Sequence, residues 1–480
     1  MHHISHRHFY FLVMANNLIF VPGRKKNTEN PILDGYRFVM DKKKNDATYW
    51  KCSLFRSGCR ARIITVEKQL TTPVPEHSQH GPQQAESTVH VLKQTMKKKA
   101  VETDLPTKRL ACDAVSGISF EARAKLGCHP SSLSRMARRT RQAADKHPCN
   151  PRDLEHLSIP GDYILSHNNE CMMLWDSGYS EQTRRSFLWG TSTNAHAMVD
   201  ADDWIMDGTF KSSPNLFKQL FTIHGLFPDG LHLPLFYGLL PGKTTTLYKN
   251  LFEEVDTWGP YQPSSILMDF ELAIHNAVAE VWPSSTRRGC NFHFKQSLLK
   301  HLRQCDLMDE YKIENSPIRD NFAKMGAIAF VPEHEVDRVW RYLKPLLPAD
   351  MMSFTSYFEA TWIGTSSTPP TFSHDMWNQH DASLMLLPRS SNIAEGWHHG
   401  FHSMLSCSNP TLWKFLDALK AEQALTDVKL TRRQLRDPPE PRAPKWIKFD
   451  RRLQKIVEDF DTYTDALEFL SAIGNLTMLS

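Results

Sequence analysis

Two thiols and two imidazoles lie close enough along the chain to share one ion. Six residues separate Cys52 from Cys59, and His77 and His80 follow after a polar stretch. Two thiolates and two imidazoles make the N/S donor set that Zn²⁺ takes in tetrahedral structural sites. A second kind of chemistry is written in acids. Trp204-Ile205-Met206-Asp207 and Ile266-Leu267-Met268-Asp269 are apolar runs that each end in an aspartate. A strand that delivers a carboxylate at its C-terminal end offers the hard oxygen donors that Mg²⁺ or Mn²⁺ requires. One such aspartate is more often a turn or cap residue; the repeated form singles this pair out. A third acid lies in Ser391-Asn392-Ile393-Ala394-Glu395-Gly396-Trp397-His398. On a helix, Glu395, His398, His399 and His402 fall at i, i+3, i+4 and i+7 and share a face. Two aspartates and a glutamate could hold two divalent ions at a phosphodiester, one for the nucleophile and one for the leaving oxygen. Cys290-Asn291-Phe292-His293 offers one more pair. It is either half of a second zinc site, completed by His398 or His402, or a buried thiol serving as packing.

These residues need elements to hold them. Residues 18–82 read as strand-rich, with short β-type runs at Leu18–Val21, Tyr36–Met40, Thr48–Ser53 and Ala61–Val66 between polar turns. So small a β segment has a poor apolar inventory and needs a staple, which zinc supplies. His77–Thr88 is rich in Pro, Gln and Ser and reads as a linker within a segment 83–160 that becomes helical and basic. There Leu133, Met136, Ala137 and Thr140 recur at helical spacing after Pro130-Ser131-Ser132, with Arg135, Arg138 and Arg139 on another face and Arg141 close by. Such a helix is either a solvated basic face or one that lies on DNA phosphates in a helix-turn-helix. Residues 197–425 alternate strand and helix patterns: Trp204–Met206, Leu220–Leu226, His232–Leu240, helix Thr246–Thr257, Ser265–Met268, helix Glu271–Val281. That order predicts an α/β domain around a central sheet, with a helical insertion at about 300–385. Residues 426–480 read as a charged tail with one helix at Trp446–Asp461.

The 480 residues hold 57 Lys+Arg and 53 Asp+Glu, a net +4 that conceals an asymmetry. Residues 1–150 carry 26 basic and 12 acidic side chains, and the rest carries 31 and 41. A basic front on an acidic body predicts a chain that meets a polyanion at one end. No apolar run reaches the ~18–20 residues of a membrane span, and Phe9–Met14 is too short for one. Met1–Met14, with four histidines, is an unusual start that need not belong to the genuine chain. Nine cysteines, odd in number and thinly spread, read as reduced intracellular thiols rather than a disulfide framework.

Two resemblances gather these observations. Tyr36, Phe38, Trp50-x-Cys52, Cys59-Arg60-Ala61-Arg62 and the closing histidines resemble the FLYWCH zinc finger, a four-ligand β domain. That family usually ends in H-x-H, where this chain has His77-x-x-His80. The resemblance implies structural Zn²⁺ on Cys52, Cys59, His77 and His80, and binding of nucleic acid or protein, with Arg60 and Arg62 beside the site. Residues 197–425 resemble the MULE (Mutator-like element) transposase domain, an RNase H-like DDE domain. The likeness rests on Trp204–Phe210, Gln219–His224, Pro234–Leu240, Met268-Asp269-Phe270-Glu271, Asn392–His398 and Asn409–Trp413. It implies that Asp207, Asp269 and Glu395 are the DDE acids, holding Mg²⁺ or Mn²⁺ for cleavage and strand transfer of double-stranded DNA. It also implies work as a homo-oligomer on transposon ends and target, in the nucleus. Lys97-Lys98-Lys99 and Lys108-Arg109 would serve import. The family carries a C-x-x-H element like Cys290–His293. The competing reading is a domesticated DNA-binding regulator with an idle catalytic site, and a third is an inactive element that merely folds.

Overall fold

The computed structural model describes residues 18–22, 28–103, 105–144 and 147–478; Met1–Met14 lies outside them. The chain divides into two compact units, 1–147 and 148–480.

The first unit opens with an antiparallel sheet in sequential order. Its strands are β1 (Leu18–Pro22), β2 (Glu29–Leu33), β3 (Tyr36–Lys44), β4 (Ala47–Cys52), β5 (Arg62–Val66) and β6 (Gln69–Leu70). The turn between β2 and β3 is Asp34-Gly35, with φ of 50° and 84°, the left-handed pair that a two-residue hairpin demands. A Cβ on Gly35 would also meet the end of the Gln84 side chain at 2.2 Å, so a larger residue would have to push that side chain aside as well as bear the left-handed φ. The sheet's core is small: Leu33, Phe38, Trp50, Cys52, Cys59, Ala61 and Ile63. Phe38 pairs with Cys52, and Trp50 with Ile63, so aromatic rings and ligand thiols share one face.

Four helices follow: α1 (Gln84–Glu102), α2 (Thr107–Val115), α3 (Phe120–Ala124) and α4 (Pro130–Ala144). The stretch read as a linker to Thr88 is therefore helical from Gln84. Its first turn is tied down, because Gln83 N–H and Ser87 Oγ both donate to the Gly35 carbonyl, at 3.1 and 3.0 Å. Val89, Met96 and Ala100 of α1 recur at helical spacing and pack with Leu110, Ala122, Leu126, Leu133 and Ala137. Ser119 caps α3, and Gly127, at φ 62°, turns the chain into α4.

The second unit is built on a seven-stranded sheet of order β13-β12-β9-β10-β11-β8-β7. Its strands are β7 (Met173–Asp176), β8 (Phe187–Trp189), β9 (Asp203–Thr209), β10 (Gln219–Leu226), β11 (His232–Leu240), β12 (Ser265–Met268) and β13 (Thr286–Gly289). β9, β10 and β11 run antiparallel; β12 and β13 run parallel to β9. The sheet begins at Met173, before residue 197, with two short strands that the alternating pattern of 197–425 does not include. Side chains alternate between faces. Trp204, Met206, Ile266 and Met268 point into a core with α5 (Thr245–Asp256) and α6 (Leu272–Val281). Ile205 and Leu267 point the other way, onto Cys290 and Ala394.

Helices and the loops between them occupy the chain from β13 to residue 385, starting with α7 (Asn291–Gln304). After it come α8 (Asn392–Leu405) and α9 (Leu412–Gln434). Residues 426–480 are not a tail. The end of α9, α10 (Pro444–Glu458) and α11 (Ala466–Met478) occupy them, and Leu453, Val457, Phe460, Phe469, Leu470 and Ile473 join the core of the insertion. The surface charge of this segment masks an apolar stripe at helical spacing. No helix of the described residues is long and apolar enough to cross a membrane.

Candidate functional site

Cys52 ends β4, Cys59 follows a single helical turn at Phe55–Ser57, and both histidines come after β6. Gly58, at φ 99°, lets the chain double back so that the second thiol faces the first. The structure brings all four predicted ligands together, with ligand atoms within 4.8 Å of one another. Cys52 Sγ lies 3.4 Å from His80 Nε2, Cys59 Sγ 3.4 Å from His77 Nδ1, and the two imidazole nitrogens 3.2 Å apart. A tetrahedron with Zn–S near ~2.3 Å and Zn–N near ~2.0 Å has S···N edges of about 3.5 Å and an N···N edge of about 3.3 Å. The donor set therefore has the spacing zinc needs, and the extra residue between the histidines is absorbed by using Nδ1 of one and Nε2 of the other.

Neighbours hold the rings. Tyr36 stacks on His77 at 3.7 Å between ring centres, and His80 Nδ1 faces the Gly81 carbonyl at 3.0 Å. Burial pushes the Cys52 thiol up. Burial also pushes on Cys59, but the Ala61 N–H and His80 outweigh it and bring its pKa down to about 7. Burial, with help from the charge of His80, lowers His77 to about 4. Arg60 and Arg62 are exposed beside this site. On α4, Arg135, Arg138 and Arg139 are exposed as the helical pattern predicts. Arg141 differs: its guanidinium donates to the carbonyls of Ala100, Thr103 and Leu105 at 2.8–2.9 Å, closing the C-terminal end of α1.

The acids of the second unit are placed by the sheet. Leu267 is level with Ile205, and Asp269 directly follows the end of β12, the parallel neighbour of the strand that carries Asp207. Asp207 continues the face of Ile205, two residues before it. α8 packs across that face through Ala394 and carries Glu395 in its first turn. One turn later, His398 Nδ1 lies 3.3 Å from Asp207 Oδ2, and its Nε2 lies 3.0 Å from Thr222 Oγ1. Thr222 in turn donates to the Asp207 carbonyl at 3.2 Å. Asp207 and His398 are both buried.

Asp269 has less company. Its Oδ1 accepts the Glu271 N–H at 3.1 Å. Burial, then the Glu271 carboxylate, raise its pKa above the usual carboxylate range, and the Asp207 charge adds to this. Glu271 is a fourth acid near the site, but Lys243 at 2.6 Å and Tyr248 at 2.9 Å occupy its oxygens. Among the described residues, the finger's ligand set is the one group of three or more metal-ligating side chains within 4.8 Å. Asp207, Asp269 and Glu395 therefore do not all bring carboxylate oxygens within 4.8 Å of one another. Among the described residues, neither Cys290 nor His293 belongs to a closed ligand group with His398 or His402. Thr222 and Lys243 carry no signal in sequence, since each becomes a neighbour of an acid only through strand pairing or loop closure.

Comparison with known families agrees with this layout. Residues 20–80 match the FLYWCH zinc finger domain, and residues 204–297 match the MULE transposase domain. The second match contains Asp207, Asp269, Cys290 and His293, and stops before Glu395. No curated protein matches the chain. The two domains, in this order, support a Mutator-like transposase-type DNA-binding protein.

Proposed function

We propose that this protein is a DNA transposase of Mutator-like type that cleaves and rejoins phosphodiesters at Asp207, Asp269 and Glu395, working in the nucleus as a homo-oligomer. The observation that carries the reading is the contact of His398 with Asp207. It pins the helix bearing Glu395 against the strand bearing the first aspartate, while the second aspartate directly follows the adjacent parallel strand. Three antiparallel strands followed by two parallel ones support an RNase H-like reading of the sheet.

Asp207, Asp269 and Glu395 would hold Mg²⁺ or Mn²⁺, for which their hard oxygen donors and unbalanced charge are suited. Such ions supply activation of the attacking oxygen and stabilisation of the leaving one. The chain's own residues do the rest. Thr222 holds the Nε2 end of the His398 ring, whose Nδ1 end orients the Asp207 carboxylate. Lys243 and Tyr248 hold Glu271 aside, so that its charge presses on Asp269 without entering the site. The zinc-bound finger, with Arg60 and Arg62, and α4, with Arg135, Arg138 and Arg139, hold double-stranded DNA through its phosphates.

The test is cleavage of labelled transposon-end duplex with Mn²⁺. Asp207→Asn, Asp269→Asn and Glu395→Gln should each lose about 10³-fold or more in rate, roughly 4 kcal/mol of barrier. Cleavage that survives all three would refute the assigned site. Wild-type protein that binds the duplex yet never cuts it would favour a domesticated DNA-binding regulator.

A further inference from the structure

One side chain touches every element that carries an acid. Cys290 Sγ accepts the backbone N–H of Ser391 at 3.3 Å and the Ser391 hydroxyl at 3.4 Å. Ser391 is the residue from which α8 starts, four before Glu395. The Cys290 N–H donates at 2.8 Å to the carbonyl of Met268, the residue preceding Asp269. The side chain is wholly buried and packs with Ile205, Leu267 and Ala394. Those three stand two before Asp207, two before Asp269 and one before Glu395. Cys290 is also the residue that opens α7, yet its sulfur caps no N–H of that helix. The sulfur is turned instead toward α8.

We infer that Cys290 is a positioning residue for the three-acid site: its sulfur fixes the first turn of α8, and so Glu395, to the strand end that carries Asp269. The inference rests on the proposed acidic site. The choice of sulfur has a geometric reason. A thiol accepts at the 3.3–3.4 Å found here, whereas an oxygen acceptor wants its donor near ~2.9 Å. Alanine at 290 would leave the buried Ser391 N–H without an acceptor. Serine would draw α8 inward by about half an ångström.

The test is direct Mn²⁺ binding to the full chain, read from the electron paramagnetic signal of free Mn²⁺, with thermal melting alongside. Cys290→Ala should weaken Mn²⁺ about tenfold, the scale of outer-shell contacts at metal sites, with site number unchanged. Cys290→Ser should recover part of that loss. Ser391→Ala, which keeps sulfur and core intact, should weaken Mn²⁺ about threefold, and add nothing on the Cys290→Ala background, because both act through one contact. Cys305→Ala, a thiol removed elsewhere in the same unit, should leave affinity unchanged. If Cys290→Ala fails to fold, Ser391→Ala alone decides. Wild-type affinity in Cys290→Ala or in Ser391→Ala, with binding abolished by Asp269→Asn, would overturn the positioning role and leave the acidic site standing. Wild-type protein that binds no Mn²⁺ would remove the acidic site, and this inference with it.

Discussion

The two ligand sets differ in what holds them. In the finger, the most distant pair of ligands is 28 residues apart, and the core around them is seven residues. There the donors converge by local hairpins, and the ion is part of what keeps the fold closed. In the second unit the first and third acids are 188 positions apart, and each rides on an element already buried by a large core. The sheet and α8 would stand without an ion, and among the described residues the three acids do not close into one ligand cluster. A site that is itself the core gathers its donors tightly, while a site mounted on a core can keep its charges apart until a cation brings them into balance.

The largest effect expected from this contrast is the response to chelation. Metal analysis should give one zinc per chain, and its removal, or Cys52→Ser, should unfold residues 18–82 outright. Structural zinc in fingers is worth about 10–16 kcal/mol, more than so small a core can replace. The second unit should keep its melting transition. A chelator that melted both units together, or neither, would erase the distinction. Acid should act in the same direction as chelation. Zinc displaces protons from its ligands, so affinity falls as pH falls. Cys52 lies above the usual thiol range because it is buried, so from pH 9 to 7 it alone costs about tenfold per pH unit. Below the Cys59 value of about 7 both thiols count, giving about a hundredfold per unit or more. His77, at about 4, adds nothing until the pH reaches that value.

An intermediate effect is expected on the mounted site. His398→Ala should cut Mn²⁺-dependent cleavage by about 10–100-fold, because Asp207 loses the ring that orients it, while the melting temperature changes little. Unchanged cleavage would mean that the sheet alone sets the Asp207 carboxylate, and that α8 contributes only Glu395.

The same contrast explains what could be read in the chain. The finger's ligands are close in sequence and of unmistakable type, so the cluster was legible apart from which imidazole nitrogen each histidine uses. Asp207 and Asp269 were legible because a strand's apolar run ends where the acid stands. That they come from neighbouring strands depends on β12 pairing in parallel with β9, and periodicity does not encode pairing. The partners of these acids, Thr222, Lys243 and Tyr248, come from strands and loops that pattern cannot bring together. The segment 426–480 was misread because surface charge outweighed a stripe of Leu453, Val457, Phe460 and Phe469. Strands β7 and β8 are short runs that lie before residue 197, outside the segment whose strand and helix patterns alternate.

The smallest effect separates two arginine classes on one helix of the first unit. Arg135, Arg138 and Arg139 are exposed, whereas Arg141 is committed to three carbonyls at the end of α1. Each phosphate neutralised contributes about 0.9 to the slope of log affinity against log salt. Replacing the exposed three by alanine should flatten that slope by up to about 2.7, with stability nearly unchanged. Arg141→Ala should do the reverse: the slope holds, and the first unit loses about 1–3 kcal/mol, because three carbonyls lose a charged donor. Binding titrations across a salt series, paired with melts of the same variants, read both quantities. Should Arg141→Ala flatten the slope as much as the loss of one exposed arginine does, the guanidinium must leave its carbonyls for DNA. The end of α1 would then be an element that rearranges on binding, and the first unit would owe part of its helical order to the nucleic acid rather than to its own core.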